Sequence, residues 1–261
     1  MNGRPTSALL QPWADRPRLA GRRWWPLPRR DRAPALVVAG LGLLLSGLLV
    51  AVAVVSDERA MDARDRGLNL WFRNLGRSSG LLHQVAETVS WVGSGARTGP
   101  LVLTVCLVLF LLKQWRWSVF LLLSAEVGYL ISDSIKLAVG RVRPPWHYFP
   151  PLELRTSFPS GHTFGGMTAW VAMGLVAWFL LPRAWSTLLG PLCWTVGLLN
   201  GPSRLLLAKH WVTDVVGGWL MGTGWLLVVA GVCLWQWAPG SPRDLAVRRA
   251  ADDEPPGAAP V

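Results

Sequence analysis

Cysteine is scarce in this chain, with three residues in 261. Cys106, Cys193 and Cys233 each lie inside an apolar run, and none has the paired spacing that a structural metal site or a disulfide framework requires. They read as packing residues. Lysine is also scarce, limited to Lys113, Lys136 and Lys209, so a lysine at a special position stands out against 26 basic residues that are otherwise arginine. Acidic residues number 15. That basic excess does not point to nucleic acid, because the arginines concentrate in the N-terminal tail and beside apolar runs, where orientation in a bilayer accounts for them. What the chain has in quantity is apolar sequence: 51% hydrophobic residues, 17 Trp and a mean hydropathy of +0.33, the profile of a polytopic membrane protein with one membrane domain.

In chain order, residues 1–33 are polar, Pro-rich and carry eight arginines, which predicts a basic disordered tail on the cytoplasmic side. Pro34 to Val55 reads as a first membrane helix that is retained rather than cleaved. Segment 56–99 alternates polar and apolar positions at steps of three and four, the pattern of amphipathic helices lying at the interface. Its His83 has no clustered partner and reads as a surface or packing residue. Pro100 to Leu112 is apolar but short for a span, so it must borrow residues from its flanks.

Trp117 to Ile135, Phe164 to Leu181, Trp185 to Leu199 and Val212 to Trp237 complete six apolar segments. Glu126 and Asp133 lie in the third, where an acid faces protein or water rather than lipid; Asp133 is one turn from Lys136 and placed to pair with it. The expectation is an all-α, six-helix membrane domain over 34–238, with residues 239–261 a second disordered cytoplasmic tail. The loops after the third and fifth helices fall on one side of the membrane, and with the tails inside that side is extracytoplasmic.

Three polar stretches interrupt the apolar pattern. KLAVGRVRP carries Lys136 and Arg143 seven positions apart, two helical turns, before Pro144 ends the element. Two fixed cations at a membrane surface suit a phosphate, although this stretch taken alone reads first as a basic helix end at lipid head groups. FPSGHTF sets Ser160, Gly161 and His162 where a helix begins, so that free N–H groups receive an anion, Gly161 admits the bound group closely and His162 can give a proton to a leaving group. N-capping by Ser160 or Thr163 fits the same pattern. SRLLLAKHWVTD places His210 and Asp214 four residues apart, on one face if helical, with Arg204 as an anion clamp. A carboxylate on one ring nitrogen fixes the imidazole tautomer and leaves the other nitrogen free to attack. No carboxylate cluster or Cys/His pairing suggests a metal or other cofactor.

Together KxxxxxxRP (Lys136 to Pro144), PSGH (Pro159 to His162) and SRxxxxxHxxxD (Ser203 to Asp214) resemble, residue for residue, the three-part signature of the type-2 phosphatidic acid phosphatase superfamily, which also includes the vanadium haloperoxidases. The resemblance implies a metal-independent hydrolase acting on a lipid phosphate or pyrophosphate through a phosphohistidine. His210 is then the nucleophile, Asp214 its orienting partner, and His162 the acid that later activates water. Lys136, Arg143, Ser160, Gly161 and Arg204 form the phosphate cradle. The implied substrates are polyprenyl pyrophosphates such as undecaprenyl pyrophosphate, phosphatidate or phosphatidylglycerophosphate, met in the cell membrane. His147 and Arg155, between the first two motifs, are either head-group contacts or solvent-exposed. Alternatives are a lipid phosphotransferase using the same intermediate, a non-enzymatic protein that binds or transports lipid phosphates, and a haloperoxidase, against which the six apolar segments count.

Overall fold

Every long apolar run forms a helix. In the computed structural model, which describes residues 30–146 and 154–237, helix is the only regular structure among the described residues. A 3₁₀ turn at Arg30–Arg32 leads into α1, Ala33–Ser56, which carries a proline in its first turn, where the missing N–H costs nothing. Asp57 caps α2 (Glu58–Ser78) by accepting a bond from Ala60 N, and Ser79 caps α3 (Gly80–Val92) in the same way through Leu82 N. The remaining helices are α4 (Gly95–Leu111), α5 (Trp115–Val139), α6 (Gly161–Leu180), α7 (Arg183–Leu206) and α8 (Val212–Trp237). Both α5 and α6 widen for one π turn, at Leu123–Val127 and Gly166–Val171. The expected tails, apart from Arg30 to Ala33, and His147 lie outside the described residues.

Four helices, α1, α5, α6 and α8, are long and apolar enough to cross a membrane, and α3 with α4, bent by 49° at a short break, is either a fifth, broken span or a re-entrant pair. Two expectations change. Segment 56–99 divides: α2 stands apart, while α3 continues into α4, which begins at Gly95 and so supplies the flank that the short apolar run after Pro100 needed. And α7, expected as a span, is not among these five. Its C-terminal part carries Asn200, Ser203 and Arg204, all buried, so its composition is set by the polar end of the bundle rather than by lipid.

In a bilayer, apolar surface gains little by leaving lipid, and helices associate through close backbone approach. α1 and α8 show this at Gly40 and Gly224. A Cβ on either would lie 2.6 or 2.7 Å from the other's carbonyl oxygen, so any side chain there pushes the helices apart. The opposite side of α1 presents exposed Val38, Leu41, Leu45 and Val52. The main apolar core joins α4, α5, α6 and α8 through Val102, Leu121, Ala169, Met173 and Leu226. Cys106 and Cys233 are buried within it, as the packing reading expected. At one end of this bundle the C-termini of α5 and α7 and the N-termini of α6 and α8 come together.

Candidate active site

His210 lies in the short loop between α7 and α8 rather than on a helix face, because α7 stops at Leu206 and α8 starts only at Val212. The expected four-residue spacing works differently from the way a continuous helix would use it. Asp214 is in the first turn of α8, and its Oδ2 folds back to accept from Trp211 N at 2.9 Å, capping the helix start, and from His210 Nδ1 at 3.3 Å. The same oxygen accepts from Ser157 Oγ, while Oδ1 accepts from Arg141 Nη1 at 2.7 Å. His210 and Asp214 are 1% and 0% exposed, so the pair is shielded from water. With Nδ1–H directed at the carboxylate, the neutral ring presents its lone pair on Nε2.

Arg143 reaches that lone pair: its Nη1 lies 3.0 Å from Nε2 and donates to Lys209 O at 3.0 Å. The expectation that Lys136 and Arg143 share a helix face over two turns is not met. Gly140, at φ 63, ends α5 in a left-handed turn, so Arg143 enters through a loop while Lys136 stays in the last helical turn. Lys136 Nζ pairs with Asp133 Oδ1 at 2.7 Å, as the sequence suggested. A Cβ at Gly161 would sit 2.7 Å from the same Nζ. The glycine therefore admits the lysine ammonium over the start of α6.

Ser160 is the N-cap of α6, fully buried, with Oγ accepting from Thr163 Oγ1 at 3.0 Å and from Thr163 N at 3.5 Å. The capping role is thus realised in this structure. His162, in the first turn of α6, has Nε2 3.0 Å from the Ser90 carbonyl, and Arg204 Nη1 donates to Ser90 Oγ at 2.6 Å. His162 lies within electrostatic reach of Arg204, His210 and Lys136. A cavity of about 690 Å³ opens in front of these groups, walled by Ser90, Trp91, Arg97, His162, Arg204 and Lys209. Burial, and then the charges of Arg143, Arg204 and Lys136, hold the His210 pKa well below 6.5, which keeps the ring neutral and nucleophilic. Arg155 is exposed, and His83 pairs at 3.4 Å with the exposed Glu87, which is on the wall of that cavity.

The structure adds residues that the motifs did not assign. Ser157 and Arg141 hold Asp214, Ser90 ties His162 to Arg204, and α2 contributes Asp62, Asp65 and Asn69. Arg141 stands inside the first motif stretch, yet nothing in its spacing distinguishes it from a surface arginine. Ser157 is three residues before Ser160 with no signal of its own.

A sequence model described as the PAP2 superfamily matches residues 117–238, the region that supplies every motif residue above. Residues 117–238 belong to the PAP2 superfamily. Phosphatidylglycerophosphatase B of Bacillus subtilis is 28% identical over 157 residues, covering 58% of this chain and 74% of that protein. Undecaprenyl-diphosphatase of Sulfolobus acidocaldarius is 27% identical over 122 residues, 45% of this chain and 55% of the relative, so the likeness there spans about half of each protein. The crystal structure of a transmembrane PAP2-type phosphatidylglycerolphosphate phosphatase from Bacillus subtilis superposes with a TM-score of 0.63 at 24% identity, over 74% of this chain and 94% of that one. That superposition speaks to the PAP2 fold, including the helices before residue 117.

Proposed function

We propose that this protein is an integral-membrane phosphatase that hydrolyses the phosphomonoester or pyrophosphate of a lipid through a phosphohistidine intermediate, without a metal ion. The observation that carries this reading is the environment of His210: a buried carboxylate behind Nδ1, a guanidinium at Nε2, and within electrostatic reach a second histidine that lines a cavity together with Arg204. Nε2 attacks phosphorus as the bond to the lipid-side oxygen breaks, and that oxygen takes a proton from His162. Water then attacks the phosphohistidine, gives its proton to His162, and releases inorganic phosphate with His210 restored. Because the Nε2–H of His162 is directed at the Ser90 carbonyl, Nδ1 is its proton-exchanging nitrogen. Arg143 leaves Nε2 for a phosphoryl oxygen when substrate enters, and with Lys136 and Arg204 offsets the charge that develops in transfer.

A lipid substrate is supported by the apolar helices around the site and by the names of the two relatives, one a phosphatidylglycerophosphatase and the other an undecaprenyl-diphosphatase. The site stands at the extracytoplasmic ends of six membrane helices in this reading, with α7 crossing beside the five apolar spans and the eight arginines of the first 33 residues holding the tail in the cytoplasm. The test is phosphate release by the detergent-purified protein in EDTA, from phosphatidate, phosphatidylglycerophosphate, a polyprenyl pyrophosphate and a soluble sugar phosphate. Release from a lipid should resist EDTA and fall about 10³-fold or more in His210→Ala. No release from any of the four, or equal release by His210→Ala, would overturn the reading.

A further inference from the structure

α2 carries Glu58, Asp62, Asp65 and Asn69 at steps of four, three and four, which places them on one helical face. That face is turned inward. Asp65 and Asn69 are 5% and 0% exposed, whereas Leu68 and Trp71 are 48% and 56% exposed, so the helix buries its polar stripe and leaves apolar side chains outside. All four inward residues engage the polypeptide around His210. Glu58 Oε1 accepts from Val142 N at 2.8 Å, and Asn69 donates to His210 O at 2.8 Å while accepting from Val212 N at 3.0 Å, gripping the backbone at the histidine and two residues after it.

The two aspartates meet Arg141, whose side chain is 0% exposed. Its Nε and Nη2 donate to Asp62 Oδ1 at 3.3 and 2.8 Å, Nη2 also to Asp65 Oδ2 at 3.0 Å, and Nη1 to Thr213 Oγ1 and Asp214 Oδ1. Every N–H of the guanidinium is used. One cation therefore serves three carboxylates in a buried cluster. A guanidinium facing Asp214 alone would neutralise it and weaken its hold on the imidazolium that phosphoryl transfer creates. With Asp62 and Asp65 drawing on the same cation, Asp214 keeps negative charge for His210. This works against Arg143 at the other ring nitrogen, against Lys136 and Arg204 within electrostatic reach, and against His162 if protonated.

We propose that Asp62 and Asp65 are positioning residues: through Arg141 they fix the orientation of Asp214 and preserve its charge toward His210. The proposal rests on His210 as the nucleophile. Outer partners of this kind typically change activity by about 10- to 100-fold.

The test compares the full chain in detergent with Asp65→Asn and Asp62→Asn, measuring kcat and KM on the best lipid substrate and the ring N–H proton of His210 by NMR on ¹⁵N-histidine-labelled protein. That signal is identified by its loss in His210→Ala. Each variant should lower kcat about tenfold with KM within about twofold, and should move the Nδ1–H resonance upfield as its bond to Asp214 weakens. Asp62→Glu should restore part of both. Should Asp65→Asn fail to fold, Asp62→Asn, at the partly exposed rim of the cluster, carries the same comparison. A folded variant with the resonance unmoved overturns the proposal whether or not kcat falls, since a purely structural part would lower kcat alone. A moved resonance with kcat unchanged in an active enzyme overturns it too. If the wild type itself releases no phosphate, the phosphatase reading falls, and the resonance still decides whether α2 positions His210.

Discussion

The two sides of His210 are built from opposite chemistry. At Nε2 stands Arg143, with Lys136, Arg204 and His162 within electrostatic reach, all from the three motif stretches, and His162 and Arg204 line the cavity. On the Nδ1 side stand Asp214, Arg141 and the inward stripe of α2, a buried and predominantly acidic cluster drawn largely from outside the motifs. In the proposed mechanism a phosphoryl group brings negative charge to the first side, and transfer leaves positive charge on the ring, which the second side answers. The difference teaches that the recognisable signature encodes mainly what touches substrate. What holds the nucleophile in place comes partly from a helix whose sequence advertises only amphipathicity.

Three substitutions on the substrate side would break or sharpen this contrast. The largest effect should come from His162→Ala, which is expected to cost about 10²-fold in kcat for a poor leaving group and clearly less for an aryl phosphate whose oxygen leaves without a proton. Equal losses on both substrates would remove His162 from the acid role. Arg204→Lys keeps the charge and loses the planar fork, so kcat/KM should drop about tenfold. A wild-type value would show that Arg204 makes no forked contact with the phosphoryl group.

The smallest effect is in pH dependence. In the proposed mechanism His210 acts in its neutral form, and its pKa is held below 6.5, so activity should persist as pH falls through 6.5 and decline only at lower pH, as the ring protonates. Arg143→Gln removes one of the charges that disfavour protonation, and the acid limb should then move to higher pH. Comparing kcat/KM profiles of variant and parent on one substrate cancels the substrate's own ionisation. An unmoved or lowered limb would mean that the arginine does not set the proton affinity of the nucleophile.

Much of this organisation was legible in the residues. The apolar runs located α1, α5, α6 and α8 to within a few residues, and the Ser160 cap marked the start of α6. Other parts were not. Gly140 could have been read as a helix stop, yet the seven-residue spacing of Lys136 and Arg143 fits two turns equally well, and only the φ of 63 shows that a loop carries Arg143 to His210. The i,i+4 spacing of His210 and Asp214 likewise fits a helix face and a helix cap. The polar positions of α2 gave no sign of direction, because an amphipathic helix can turn its charged face to water or to protein. Asp65 and Asn69 face protein because Arg141 and the His210 backbone offer partners there.

The sequence by itself determined the class of this protein and the chemical groups of its site, since hydropathy is a local property and the three motifs hold their reactive residues within short stretches. Tertiary structure alone decided which nitrogen of His210 meets Arg143, that Gly161 makes room for Lys136, and that α2 closes the site from behind. Each of these depends on contacts between segments far apart in the chain, such as the 141 positions between Asn69 and His210. No local pattern encodes such a distance.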